Sequence, residues 1–266
     1  FICAGQSTEW TKWSSSGRLA CGDYSEPMRK YFRSWLRRKY DGNDAALRKA
    51  WNRPEASFDN AEAPSAEEQL HTMLYNFRDP QKEMNVIDYY TALAELCADR
   101  IIEFCRTVKE ASRGKALAGA SYGYTLTCSY NQGFYAEGPV AVSSDFSHNQ
   151  RGGHMALGRV LASPFVDLLG SPISYGFRGI GGDASLSQLS ESCRIHGKLC
   201  IVEEDSRIHD IPPNNTYGRA NNRGESTAIL KRNISRTLIH GLGIWRAPMG
   251  DASLRPLLRQ FNEIGN

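Results

Sequence analysis

The sequence predicts an α/β protein built on a parallel sheet with helices outside it. Three observations carry that expectation. Short apolar, strand-like runs alternate with helix-period segments five times along the chain. The later helical segments stop at glycines, and a strand-like run follows directly. Acids and aromatic residues collect just after the strand-like runs. Regular alternation of this kind places the strands side by side and the helices on the faces.

The elements follow in order. Residues 1–5 form an apolar run ending in glycine, then polar Gln6-Ser7-Thr8-Glu9, as a buried strand entering a loop does. From Pro27 the period becomes helical: Met28, Tyr31, Phe32, Trp35 and Leu36 share one face, with arginines and lysines around it. A second short helix covers 45–51, after the turn Asp41-Gly42-Asn43-Asp44. Residues 52–80 hold no clear strand and predict one helical turn near 67–75, so about 23–80 reads as a helical excursion. The longest helix is predicted over 86–111, stopped at Arg113-Gly114-Lys115. Beyond it come a strand at 116–124, a helix at 152–161, a strand at 166–169 and a helix at 186–196 stopped by Gly197. A strand at 199–202 ending in acids, a helix at 227–240 stopped by Gly241, a strand at 242–245 and a helix at 254–264 complete the chain.

Composition excludes several classes. With 266 residues, 41% hydrophobic and 23% charged, the chain is neither disordered nor collagen-like nor a coiled coil. No apolar run approaches the ~18 residues that span a bilayer. Lysine and arginine exceed acids only by 32 − 29 = 3 and are scattered, which argues against a nucleic-acid surface. The seven cysteines are isolated, without CxxC or zinc-type spacing, so no metal is expected, and the hydrolytic mechanism considered below requires no cofactor. Cys97 and Cys105 stand too far apart on one helix to bond, and Cys128 and Cys200 read as buried thiols. This cysteine usage suits a reducing, cytoplasmic setting, with secretion as the alternative. Asn214-Asn215-Thr216 and Asn233-Ile234-Ser235 match the glycosylation sequon, a common chance match. The opening Phe-Ile-Cys-Ala-Gly lacks a charged n-region and reads as a chain cut before or inside a strand, not as a signal peptide.

Two architectures fit: an open doubly wound sheet or a (β/α)₈ barrel. A nucleotide-binding open sheet wants a glycine-rich turn directly after a strand, and Gly179-Ile180-Gly181-Gly182-Asp183 lacks the required spacing. A barrel places functional side chains at strand C-termini, where Glu9, Tyr122, Tyr124, Tyr175, Glu203, Glu204, Asp205 and Trp245 fall. The barrel is therefore favoured, although five βα units are present rather than eight. Acids at two such strand ends suggest glycoside hydrolysis, in which retention needs two carboxyls ~5–5.5 Å apart. Trp10 beside Glu9 would raise its proton affinity, as a general acid requires, and Arg207 would favour an ionised carboxylate in the second cluster. A lone acid beside a core ring, or an acidic run in a solvated loop, is the ordinary alternative for each.

Four segments extend the argument. Glu203-Glu204-Asp205-Ser206-Arg207-Ile208-His209 resembles E-x-D-T-R-T-H, the segment after strand seven of glycoside hydrolases related to family 42, the β-galactosidase-type barrels of clan A. Ser163-Pro164-Phe165-Val166-Asp167 and Ser171-Pro172-Ile173-Ser174-Tyr175 resemble their S-P-x-x-D and S-P-x-x-Y signature at strand six. Phe32-Arg33-Ser34-Trp35-Leu36-Arg37-Arg38-Lys39-Tyr40, then Leu47-Arg48-Lys49-Ala50-Trp51, resembles their F-R-x-W-L-x-x-K-Y and L-x-x-A-W after strand four. Gly5-Gln6-Ser7-Thr8-Glu9-Trp10 resembles the G-x-T-G-E-W turn of the acid/base. The resemblance implies that residues 1–266 are the C-terminal five βα units of a (β/α)₈ TIM barrel, from strand four to helix eight. It implies Glu9 as acid/base and Glu203 as nucleophile, with Asp205 and Arg207 orienting the latter. Tyr175, Tyr124, Arg207 and Trp245 become substrate-binding candidates, Trp245 serving either as a sugar platform or in barrel packing. His154 is expected to cap or pack rather than to catalyse. The implied activity is a retaining, β-galactosidase-like hydrolase acting on a carbohydrate substrate. The alternative is a non-catalytic carbohydrate-binding or structural remnant of such a barrel. Strands one to three are not among the matched segments, so the edges at 1–5 and 242–245 are expected to be covered by the missing strands or by a second copy.

Overall fold

The computed structural model describes residues 2–6, 14–15, 18–19, 23–70, 77–122, 154–174, 176–212, 218–246 and 259. Its strands are β1 (Ile2–Gln6), β2 (Ser14–Ser15), β3 (Arg18–Leu19), β4 (Ala118–Ser121), β5 (Leu168–Pro172), β6 (Leu199–Glu204) and β7 (Gly243–Arg246). Its helices are α1 (Glu26–Lys39), α2 (Asp44–Trp51), α3 (Ala66–Leu70), α4 (Met84–Ala111), α5 (Leu157–Ala162), α6 (Ser190–Ile195) and α7 (Arg223–Ile239). The chain divides into an α/β unit, of Phe1–Gly5, Ile102–Tyr130 and Leu161–Asn266, and a helical unit, of Gln6–Ile101 and Asn131–Val160.

In the α/β unit the sheet order is β1-β4-β5-β6-β7, while β2 and β3 form a separate antiparallel pair. The four strands from β4 to β7 are parallel, with Gly170 beside Ile201 and Ile201 beside Gly243. The N-terminal ends of the strands are pinned by side chains. Asp167, just ahead of β5, accepts the Ala118 amide at 2.7 Å and pairs with Lys109 at 2.6 Å. Lys198, just ahead of β6, donates to the carbonyls of Ser163 and Val166. Each contact ties one strand start to its neighbour, which fixes the register without a tight turn.

Along β6 the burial alternates. Cys200, Val202 and Glu204 are buried, whereas Leu199 is exposed and Ile201 and Glu203 are half-buried. The buried set looks toward the helices: the Cys200 thiol donates to Gln188, just before α6, and Glu204 accepts from Asn233 of α7. A strand turns successive side chains to opposite faces, so Leu199, Ile201 and Glu203 occupy the other face. The strand is thus two-faced, one side toward the helices and the other away from them. At the end of the order, β7 is exposed, with Ile244 and Trp245 accessible.

Helix α7 starts a turn earlier than its apolar period suggests. Asn222 caps it by accepting from the Glu225 amide, and Glu225 accepts in turn from the Asn221 amide. These reciprocal bonds satisfy first-turn donors before the apolar stripe begins. Strand β5 lies two to three residues later than expected and includes Pro172, which at the last strand position forfeits no bond the ladder needs. The helix expected from 186 begins only at Ser190. Leu186 bridges Ile173, and the Ser187 amide donates to Pro172, so the segment before the helix is extended against β5.

The helical unit is built on α1, α2 and α4. Ser25 caps α1, Pro27 occupies its first turn, and Arg37, Arg38 and Lys39 face its C-terminal carbonyls. Phe32 stacks on Trp35 and Trp51, with ring centroids 6.4 and 6.3 Å away, and meets the edge of Tyr89 at 5.4 Å. Asn43 caps α2 through two amide bonds. Gly114, at φ +75°, closes α4 by donating to the Lys109 carbonyl. Among the described residues no helix is long and apolar enough to cross a membrane. The cysteines described, Cys97, Cys105, Cys193 and Cys200, are buried, and burial pushes the Cys97 thiol up to about 12. Cys128, Asn214 and all of the helix expected at 254–264 except Arg259 lie outside the described residues. The sequon at Asn233 is buried in α7, where its amide is occupied.

Candidate functional site

The C-terminal ends of β5, β6 and β7 set Pro172, Glu203 and Trp245 in one register row. Register partners in a parallel sheet share a face, with strands about 5 Å apart. Glu203 therefore stands between a proline and an indole, away from the helix-facing Glu204. Trp245 is 49% exposed on β7, at the end of the strand order. The flat indole beside a carboxyl provides apolar contact on one side and proton chemistry on the other.

Glu203 and Glu204 have different surroundings. Glu204 is buried and its Oε1 accepts from Asn233 Nδ2 at 2.9 Å and from the Ser206 amide at 3.3 Å. Its Oε2 lies 3.7 Å from Arg246 Nη1. Glu204 thus serves the interface between sheet and helix. Glu203 has its carboxyl pushed up to about 7, first by burial and then by the Asp205 charge, with Arg178 and Arg207 acting in the opposite direction. Arg207 pulls in the expected direction, toward the ionised carboxylate, but other effects outweigh it. Arg207 Nη1 is committed to Asp205, at 2.8 Å from Oδ2 and also to its carbonyl, and desolvation outweighs its remaining pull on Glu203. A carboxyl titrating near neutrality is poised to give or take a proton.

Asp205 is held from both sides. Arg178, fully buried, donates through Nη1 to Asp205 Oδ1 at 2.7 Å and through Nη2 to the Ile173 carbonyl. Its Nε donates to the Ser174 carbonyl at 3.4 Å. The loop carrying Arg178 is fixed in turn by Arg232 of α7, which donates to the carbonyls of Arg178, Gly179 and Gly182. These glycines present carbonyls to a cation, the reverse of a phosphate-binding turn, which presents N–H groups. Downstream, Ser226 Oγ accepts the His209 amide at 3.0 Å and lies 2.9 Å from its Nδ1.

Of the residues expected in the site, the structure brings Glu203, Arg207 and Trp245 to the β6–β7 end of the sheet. Glu9, Tyr124 and Tyr175 lie outside the described residues. Arg178, Asn233 and Arg232 were missed by sequence reasoning. A lone arginine in the glycine-rich stretch 176–182 was the available signal for the first. His154 is buried just ahead of α5, and burial pushes its imidazole down to about 3, consistent with a packing role. Among the described residues no group of three His, Cys, Asp or Glu side chains is placed to hold a metal ion. A cavity of about 480 Å³ in the helical unit, lined by Tyr24, Trp51, Arg53, Asn60, Glu68 and Asn85 among others, contains none of the expected site residues. No protein-family model matches the chain, and no curated protein matches it.

Glu203 gives the site a pH signature. Its carboxyl titrates at about 7 in the folded chain against an ordinary value of 4.5, so folding takes up a proton between these limits. The protonated group contributes stability that is fully present below pH 4.5 and is lost as pH rises through about 7. The urea midpoint of the wild type, relative to that of Glu203→Gln, is expected to fall across this window. Parallel curves for the two proteins from acid to neutral pH would remove the shift.

Proposed function

We propose that the chain is part of a retaining, β-galactosidase-like glycoside hydrolase barrel, comprising strand four to helix eight, in which Glu203 is the nucleophile and Glu9 the acid/base. The observation that carries the reading is the division of labour in Glu203-Glu204. Glu204 faces the helices, its Oε1 accepting from Asn233 and Ser206 and its Oε2 3.7 Å from Arg246, while Glu203 sits at the strand's C-terminal end, on the opposite face, in register with Trp245. A working carboxylate of a (β/α)₈ enzyme is expected at such a strand end. In the proposed double displacement, Glu203 attacks the anomeric carbon as the glycosidic oxygen takes a proton from Glu9. Water then hydrolyses the glycosyl ester. Ionised Glu203 is the attacking form, so the rising limb of the rate is expected near its midpoint of about 7. Arg207 acts through Asp205, and Trp245 stacks on the sugar face. Neighbouring barrel strands or a second copy would cover the sheet edges, and the compartment proposed is the cytoplasm.

The test is turnover of p-nitrophenyl β-D-galactoside and related aryl glycosides. Glu203→Gln is expected to lower turnover by about a thousandfold or more, the scale of removing a group that acts in the transition state. Azide added to Glu203→Ala is expected to restore cleavage and yield a glycosyl azide of inverted anomeric configuration. Equal inertness of wild type and variant, with retained sugar binding, would favour the carbohydrate-binding alternative.

A further inference from the structure

We propose that Arg178 is a positioning residue for Glu203 and acts through Asp205. The proposal rests on the reading of Glu203 as the working carboxylate, and it extends that reading to a residue outside the matched segments. The guanidinium of Arg178 is fully buried, and its donors reach Asp205 Oδ1, the Asp205 carbonyl and the carbonyls of Ile173 and Ser174. The planar fork therefore joins the chain leaving β5 to the chain leaving β6. Glu203 is the residue between these two anchors: it pairs in register with Pro172, immediately before Ile173, and precedes Asp205 by two residues.

A lysine ammonium could neutralise Asp205, but its donors radiate from one nitrogen and do not spread along a fork that reaches the Asp205 carboxylate and two loop carbonyls together. Arginine does both because its donors lie in a fixed plane. Arg207 binds the other Asp205 oxygen, so the carboxylate is locked between two cations. The clamp is braced from behind, since the Arg178 carbonyl accepts from Arg232 at 2.6 Å. Breaking it loosens the β5 exit loop and the Asp205 side chain together, leaving them to Arg232 and Arg207. Both flank Glu203, so the effect registers in the proton affinity of that group.

The charged groups packed around Glu203 among the described residues are few. On its own strand and exit lie Glu204, Asp205 and Arg207; the β5 exit loop contributes Arg178, and β7 contributes Arg246. Glu204 and Arg246 are 3.7 Å apart on the helix-facing side. Asp205, Arg178 and Arg207 remain, with a net charge of +1. Removing Arg178 reduces that to zero, and removing the Asp205 charge raises it to +2. The two changes must therefore move Glu203 in opposite directions.

The experiment is a carboxyl-carbon NMR titration of ¹³C-glutamate-labelled protein, with Glu203→Gln assigning the resonance. No substrate is involved, so the result stands whether or not aryl glycosides are cleaved. Arg178→Met is expected to raise the Glu203 midpoint by about 1 pH unit, and Asp205→Asn to lower it by a similar amount. Arg178→Lys keeps the charge but loses the fork, and a smaller upward shift is expected. An unchanged midpoint in Arg178→Met overturns the proposal. If that variant does not fold, a native midpoint in both Arg178→Lys and Asp205→Asn overturns it equally.

Discussion

Replacing Asp88 with alanine is expected to cost about 2–4 kcal/mol of stability, because two neutral donors lose their acceptor at about 1–3 kcal/mol each. Asp88 is fully buried on α4. Its Oδ1 accepts from Lys39 at the end of α1, and its Oδ2 accepts from the Tyr40 hydroxyl and the Trp51 indole, each at 2.7 Å. One carboxylate thus gathers the ends of α1 and α2 onto α4. The alanine variant would leave an ammonium, a hydroxyl and an indole N–H without their acceptor, and only the lysine reaches water easily. Trp51→Phe removes a single donor and should cost less than Asp88→Ala even with the change in ring size. Urea unfolding followed by tryptophan fluorescence is the measurement. A loss below about 1 kcal/mol, the worth of one ordinary hydrogen bond, would mean that ring packing alone holds these helices.

The fold was legible where local chemistry and burial agree. Met28, Phe32, Trp35 and Leu36 repeat at helical spacing, and all four are buried in α1. The sheet order follows the chain order once the small β2–β3 pair is set aside. Successive strands of a parallel α/β sheet usually lie side by side, which made that the expected result. Boundaries slipped where a tertiary contact replaced a local signal. Residues 186–189 have helix-compatible side chains but are drawn into pairing with the end of β5. Pro172 reads as a strand breaker but is harmless at the last position, next to Glu203.

The site was legible in part. The acidic run after an apolar strand marked β6, and strand alternation required Glu203 and Glu204 to diverge. It could not say which faced the helices, because that depends on Asn233, twenty-nine residues away. Arg178 was silent for the same reason: its Asp205 partner is twenty-seven residues distant, across one helix and one strand. Arg207 pulls on Glu203 in the direction its sequence proximity suggests, but that proximity says nothing of the desolvation that outweighs it or of where the guanidinium is already engaged.

Asn233→Asp is expected to destabilise the α/β unit by several kcal/mol above neutral pH and to recover much of that loss on acidification. The Asn233 amide bonds both Glu204 Oε1 and Ser206 Oγ at 2.9 Å, and its own oxygen accepts from Arg232 at 3.0 and 2.9 Å. Aspartate at this position turns the donor into a second carboxylate against a buried one. Two such groups cannot both ionise cheaply, so they share a proton and one of them titrates far above the usual range. Because the folded state then holds a proton that the unfolded chain releases, stability falls as pH rises through the raised value. Asn233→Leu removes the same donor without adding charge, so its penalty should change little with pH. Glu204→Gln still offers an oxygen to Asn233 and Ser206, and should be milder than either at neutral pH. These three variants act on the side of the sheet opposite Glu203. If aryl-glycoside turnover is present, Glu204→Gln should retain it under folding conditions, whereas Glu203→Gln loses it. Loss of turnover in folded Glu204→Gln, with Glu203→Gln active, would reverse the roles assigned to the two neighbours.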